Sequence, residues 1–347
     1  MTAIFRTALV SVADHILPRL PVRLYRGAEG SLLVAGSTRW CHAYPEMFFS
    51  GHDRSCEPLG TCTVWQLPRL LEQWRPLVDL VVARIDRFSS RRFASDRFFR
   101  APEWIRTTAA VPGQGGRSPS GQARRNMRLV RKHRLGWRVS HATGDLETFI
   151  ERDYIPYTQA RFGPDAFLRS HRWFRDGFRR GGLVWIERDG EPIAGMTYDL
   201  RDASLRRLAF ACVRGDASLL RTGAASATYL AGFDIARQHR CKSVDFRNSR
   251  PFLGDGLLSV KLSWGGRVAE PDDVTHEVLL GWNAVTPAVA GFFARSPLVA
   301  RHGGGFAVVR SVTAGSRPRR IPSCIDRAVT LRPGAAFGDW TISVVSP

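Results

Sequence analysis

The sequence predicts an α+β fold: a mixed central sheet in which an antiparallel meander leads into a parallel βαβ unit, preceded by a smaller N-terminal α/β lobe. Three observations predict it. Apolar stretches at 183–187, 192–199 and 205–213 are separated by the tight turns Arg188-Asp189-Gly190 and Arg201-Asp202-Ala203, the pattern of antiparallel hairpins. A helical stretch at 222–239 then lies between the third strand and a short apolar run at 243–246. A strand–helix–strand passage of this kind makes neighbouring strands parallel. Finally, VPGQGGRSPSG at 111–121 is nearly all Gly, Pro, Ser and Gln, a composition that separates packed units.

In chain order, Ile4, Phe5, Ala8, Leu9, Val12 and Ile16 form one apolar stripe of an opening helix. Residues 22–25, 31–35 and 77–85 read as strands and 67–74 as a short helix. After the linker, 122–135 is a helix carrying Arg124, Arg125, Arg128, Arg131, Lys132 and Arg134 with no acidic residue. A second helix, 145–161, puts Leu146, Phe149, Ile150 and Tyr154 on one face, and 167–180 is a third. Beyond the βαβ unit, 257–264 is a final short helix and 277–280 a closing strand. The implied division is a lobe at 1–110, a linker at 111–121, the central domain at 122–282 and a C-terminal extension at 283–347 packing on the core.

With 347 residues, 44% apolar and 10% aromatic, the chain can bury real cores, which excludes a disordered or fibrous protein. No apolar run approaches the ~18 residues of a membrane span. Asp14, His15 and Arg19 interrupt the place of a signal peptide, so a cytoplasmic protein is expected. The net charge is +20, and all basic residues but Lys132, Lys242 and Lys261 are arginine. Arginine forks suit phosphate and carboxylate, but the excess is spread along the chain and decides no function. Six cysteines show no CxxC pair, and reduced thiols are expected. Cys41, His42, His52, Cys56 and Cys62 cluster in sequence without matching a zinc pattern, so no metal is expected.

Two stretches and one helix face could carry chemistry. Arg214, Arg221, Thr222, Gly223 and Ala225 surround the start of the helix at 222–239, where free N–H groups and the helix dipole favour phosphate; an ordinary strand-to-helix turn is the plainer alternative. VDFRNSRPFLGDGLLSVKLSWGG, 244–266, holds Asp245 at a strand's carboxyl end, then Arg247, Asn248, Ser249, Arg250, Asp255, Lys261 and Trp264. Ligands of open sheets usually lie at such strand ends, although internal Arg–Asp pairing would explain the same residues. Tyr157 and Arg161 are four apart and share a helical face, either a packing seam or part of a substrate site.

The element order, with IERDYIPYTQARFG, GEPIAGMTYDL, VDFRNSRPFLGDGLLSVKLSWGG and ARRNMRLVRKHRL, resembles the GNAT superfamily of acyltransferases. Within it the resemblance is to the branch of Fem-type and cellulose-biosynthesis-associated acetyltransferase-like domains, and it covers roughly 119–282. It implies a GNAT-like sheet, with the N-terminal lobe as a degenerate second half. It also implies transfer of an acyl group from acyl-coenzyme A (acetyl or longer), or of an aminoacyl group from tRNA, to an amine. The third meander strand would lie beside the acyl carbonyl, and the helix start near Thr222 would take the donor's phosphates. Lys261, in VKLSWG, matches a Fem-type lysine that supports the transferring carbonyl or phosphate. Two departures stand out: only Gly223 and Ala225 fit the usual coenzyme A loop, and no tyrosine follows Tyr229.

These residues lead to an N-acyltransferase acting on a small-molecule or cell-envelope-precursor amine. Asp245 or Asp255 would remove the amine proton, Lys261 would stabilise the oxyanion, and Arg247, Arg250, Tyr157, Arg161 and Trp264 would bind substrate. Two alternatives are an aminoacyl-tRNA-dependent transferase and an inactive module binding polyanions. An oxyanion role for Lys261 predicts that Lys261→Ala keeps the fold and lowers turnover about 10²-fold or more.

Overall fold

A computed structural model describes residues 19–36, 39–51, 53–93, 97–112, 120–163, 166–271, 275–312, 321–322, 325 and 327–344. The apolar stripe at 4–16, most of the 111–121 linker, His52, Cys324 and the side chains of Cys41 and His42 lie outside the described residues. The chain divides into two compact units. One is built from 1–105, 249–258 and 270–347, the other from 106–248 and 259–269.

The first unit begins with β1 (Leu20–Gly27), β2 (Gly30–Ala35), β3 (Arg54–Cys62), β4 (Leu80–Asp86) and β5 (Phe99–Pro102). The helix Arg39–Phe48 links β2 to β3, and Leu67–Trp74 links β3 to β4. The second unit holds β6 (Ile105–Ala110), β7 (Gly136–Ser140), β8 (Gly181–Arg188), β9 (Glu191–Arg201), β10 (Ser204–Cys212), β11 (Ser243–Ser249) and β12 (Arg267–Ala269). They form one sheet in the order β12-β6-β11-β10-β9-β8-β7. The last strands, β13 (His276–Gly281), β14 (Leu298–His302), β15 (Gly305–Ser311), β16 (Arg327–Leu331) and β17 (Trp340–Val344), return to the first unit.

The meander forms where the turns demand it. Asp189 and Gly190 take φ of 53° and 84°, and Asp202 and Ala203 take 50° and 56°, the left-handed pairs that two-residue hairpins require. The pairs β8–β9 and β9–β10 are antiparallel and β10–β11 is parallel, so the mixed α+β sheet expected from the sequence is present. The helix Ala224–Gln238 makes the crossover. Its face packs Ala227, Ala231 and Ile235 with Met196, Leu205 and Val244 of the sheet in one apolar cluster. Ser120 caps the basic helix Gly121–Lys132 by accepting from Ala123 N. The helix expected at 145–161 runs as Thr143–Thr148, a π-turn at Phe149–Tyr154, and Ile155–Phe162.

The strand at 277–280 departs from expectation. β13 pairs antiparallel with β4 and β5 in a six-stranded sheet, β3-β1-β2-β4-β13-β5, instead of closing the central one. Every residue of β13 is buried, and a run apolar on both faces fits the interior of any sheet. Its Glu277 is fixed by Ser90 Oγ at 2.6 Å and Arg301 Nε at 2.6 Å. Residues 283–347 contribute the helix Pro287–Arg295 and the sheet β14-β15-β16-β17, whose Val309, Val329, Phe292 and Phe293 share the first unit's main core. Gly303 and Gly304 make the β14–β15 turn, at φ of 56° and 80°. Among the described residues no helix is long and apolar enough to cross a membrane.

Gly195 of β9 marks a tight point between sheet and π-turn. A Cβ there would sit 2.6 Å from Phe149 Cδ2 and 3.2 Å from Trp185 Cζ3. Urea denaturation of Gly195→Ala should show about 1–3 kcal/mol lost to overpacking; full stability would mean that the π-turn yields without cost.

Candidate functional site

β10 lies inside a seven-stranded sheet, yet Arg206, Arg207, Leu208, Ala209 and Phe210 are all partly exposed. Two irregularities explain this. The parallel pairing with β11 spans only Ser204↔Ser243, Leu205↔Val244 and Arg206↔Asp245. On its other side, the register with β9 shifts between Arg207 and Ala209, a bulge that re-aims the strand. Beyond Arg206 the backbone groups that face β11 leave the parallel ladder. A parting of parallel strands at their carboxyl ends is where open sheets receive ligands.

The parted ends are held in unusual backbone. Arg214, just after β10, has φ of 52°, and Arg247, within β11, has 62°. Such angles cost a non-glycine residue roughly 1–3 kcal/mol, and an aspartate holds each. Asp153 Oδ1 accepts from Arg214 N at 2.9 Å, and Asp245 Oδ1 accepts from Arg247 N at 2.7 Å. Burial raises the Asp153 carboxyl above its ordinary value. Asp245 is wholly buried, with Arg106 Nε at 3.1 Å, Arg206 Nε at 3.7 Å and Arg247 Nη1 at 3.7 Å. Its lone pairs face an amide and three guanidiniums, an arrangement that locks β11 in place.

The Lys261 ammonium is buried and donates to Arg247 O at 3.0 Å and Asn248 O at 2.8 Å. It therefore braces the left-handed turn of β11 from behind. Trp264 stands in the apolar core, stacked on Tyr229 at 5.3 Å and 2°. Arg207 Cζ lies 3.7 Å from the Tyr229 ring centre and its Nη2 donates to Thr228 Oγ1 at 2.6 Å. This guanidinium–phenol–indole column fills the helix side of the parting, so Trp264 is packing and does not line the opening. Tyr157 packs edge-on to Phe210 of β10 at 5.6 Å and accepts from Arg161 Nη1 at 2.7 Å. Burial raises the Tyr157 phenol.

At the crossover helix, Arg214 and Arg221 are exposed, and Ala225 is partly so. Thr222 Oγ1 is spent on Leu219 O at 2.7 Å. Gly223 has φ of 93° and is buried; a Cβ there would meet Leu129 Cβ and Val130 Cγ2, each at 3.3 Å. Its missing side chain lets the helix Gly121–Lys132 approach, which accounts for a glycine here by packing alone. No side chain caps the start of Ala224–Gln238.

Two expected residues fall in the other unit. Asp255 caps the short helix Gly256–Ser263, its Oδ1 accepting from Leu257 N at 2.8 Å and Leu258 N at 3.0 Å, and Arg250 is exposed. Sequence reasoning missed Asp153, Asp199, Arg180, Arg201, Arg206 and Arg207. The one available signal was Arg206-Arg207, two adjacent charges inside an apolar strand that must point to opposite faces. Cys212, at the end of β10, is buried and its thiol is pushed up to about 12, so it supplies no thiolate. Among the described residues no group of His, Cys, Asp or Glu is placed to hold a metal ion.

No protein-family model matches the chain, and no curated protein matches it. Solved structures do. FemX is 11% identical, with 80% of this chain and 96% of that one covered and a TM-score of 0.39. L-PGS from Bacillus licheniformis is 9% identical, covering 75% and 80%, at 0.36. A GCN5-related N-acetyltransferase from Kribbella flavida is 13% identical, covering 81% and 96%, at 0.28. At scores of this size the chain's own strand order and register define the fold.

The Lys261 geometry generates a prediction that differs from an oxyanion role. Lys261→Met leaves two strand carbonyls without their donor and should cost about 1–3 kcal/mol, read by denaturant titration. Undiminished stability with turnover down about 10²-fold would return Lys261 to the reacting carbonyl.

Proposed function

We propose that this protein is an N-acyltransferase that moves an acyl group from an acyl-coenzyme A thioester to an amine. The observation that carries the reading is the parting of β10 from β11 after Arg206↔Asp245. A thioester laid along that opening would meet β10 backbone that has left the parallel ladder, where a strand N–H would suit a carbonyl becoming an oxyanion. The amine lone pair attacks the acyl carbon, the C–N bond forms, and the C–S bond breaks with the thiolate taking up a proton. Asp245 is enclosed by guanidiniums and Asp255 caps a helix, so water takes the ammonium proton on this reading. The donor's phosphates would meet the uncapped start of Ala224–Gln238, beside exposed Arg214 and Arg221.

One observation favours a second donor. Arg124, Arg125, Arg128, Arg131 and Lys132 are all exposed on the helix Gly121–Lys132, a strip suited to the backbone of an aminoacyl-tRNA. A thermal-shift titration with acetyl-coenzyme A, a long-chain acyl-coenzyme A and bulk aminoacyl-tRNA, at two salt concentrations, separates the readings. A thioester at a hundred times its dissociation constant should add about 2.7 kcal/mol. Stabilisation by tRNA alone, lost at high salt, would discard the thioester donor.

A further inference from the structure

On the face of the central sheet opposite the helix Ala224–Gln238, a cavity of about 270 Å³ opens between the helix His171–Phe178 and β9, β10 and β11. Arg180, Arg201, Arg206, Arg247, Asp199 and Trp173 line it. The guanidiniums converge from different elements. Arg180 follows the helix, Arg201 ends β9, Arg206 lies in β10 and Arg247 is the left-handed residue of β11. Asp199 is buried and takes Arg180 Nη2 at 3.1 Å on Oδ2, with Arg201 Nε at 3.5 Å. Asp245 lies behind Arg206 and Arg247. Asp176 also reaches the lining, but Arg179 binds it outside the lining. Arg106, outside the lining, also binds Asp245 at 3.1 Å, so guanidiniums outnumber the two buried carboxylates and the cavity keeps a net positive charge.

Two buried atoms add a hydrogen-bond pattern to this charge. Asp199 Oδ1 and Arg206 Nε face each other at 3.9 Å as an ion pair, too far for a hydrogen bond, and neither makes one elsewhere. Leaving their hydrogen bonds unmade is unfavourable, and a bound molecule can satisfy both if it brings an oxyanion and a neighbouring hydroxyl or ammonium hydrogen. Burial, then the charge of Arg247, lowers the Arg206 guanidinium below its ordinary value, a field that an incoming anion relieves. Trp173 offers a flat apolar wall for the carbon skeleton of the ligand. Arg206 and Leu208 belong to the stretch of β10 that begins where β11 departs, so a molecule anchored here extends toward the parting.

We infer that this cavity is the anchoring subsite of the acyl acceptor and takes a phosphate monoester with a neighbouring hydroxyl or amine; the acceptor role rests on the acyl-transfer reading. The net positive charge suits a dianion, and forked guanidiniums from several directions suit a tetrahedral oxyanion.

The probe is inorganic phosphate, titrated against thermal unfolding at constant ionic strength, with succinate and chloride as comparison anions. The expected result is a saturable rise with phosphate that exceeds the rise with succinate. Arg201→Gln, at a half-exposed side chain that the fold tolerates, and Arg206→Gln should each weaken the apparent affinity about tenfold or more. Arg188→Gln, the same charge change in a distant turn, should leave it unaltered. No rise in the wild type, equal rises with phosphate and succinate, or an undiminished rise in both the Arg201 and Arg206 variants overturns the inference. Acetyl-coenzyme A is titrated in parallel. A donor response without a phosphate response sinks this subsite and spares acyl transfer. A phosphate response without any donor response removes the acceptor role with acyl transfer and leaves the oxyanion site standing.

Discussion

The second unit depends on one buried carboxylate. Asp245 closes the short parallel ladder with Arg206, accepts the amide of Arg247 and sits among three guanidiniums. Each of those contacts sets a different feature: where β10 and β11 stop pairing, how β11 turns into left-handed backbone, and where Arg206 and Arg247 present their charges. Breaking such a buried cluster by removing one member leaves uncompensated charge, at a cost of roughly 3–5 kcal/mol. Lys261 complements it from the other side, binding the carbonyls that the turn at Arg247 and Asn248 would otherwise leave facing the interior. A flexible ammonium can serve two carbonyls pointing in one direction, which a planar guanidinium does less well. That gives a physical reason for lysine in a chain that otherwise uses arginine.

The two faces of the parted sheet do different work. Toward the helix Ala224–Gln238, Arg207, Tyr229 and Trp264 stack into a filled column. Toward the helix His171–Phe178, Arg206 faces an open cavity among arginines. Neighbouring residues of one strand thus send the same side chain into a packed interior and into a binding space. The bulge between Arg207 and Ala209 falls just after this pair.

Much of the central sheet was legible because its signals are local. The left-handed turns at Asp189-Gly190 and Asp202-Ala203 and the apolar runs beside them fix three strands and their order. β13 was legible as a strand but not as a member of its sheet, since burial on both faces carries no record of which neighbours supply it. The site was legible only in outline. The stretch 244–266 does contain Asp245, Arg247 and Lys261, but not the contacts that folding gives them: Asp245 lies among guanidiniums, Lys261 donates to two carbonyls, and Trp264 stands in the core. Asp199, Arg180 and Arg201 escaped notice because their convergence is a property of the folded sheet, bringing together residues from a helix end and three strands.

The way the two units share the chain has a consequence for synthesis. The second unit is complete once residue 269 has emerged, whereas the first still awaits β13 and everything to β17. Until then β4, whose place is beside β13, has its backbone unpaired on that side from Val81 to Asp86. A ribosome-bound intermediate therefore carries one finished half and one half with an exposed, apolar strand edge, the kind of surface that pairs wrongly. β13 closes that edge.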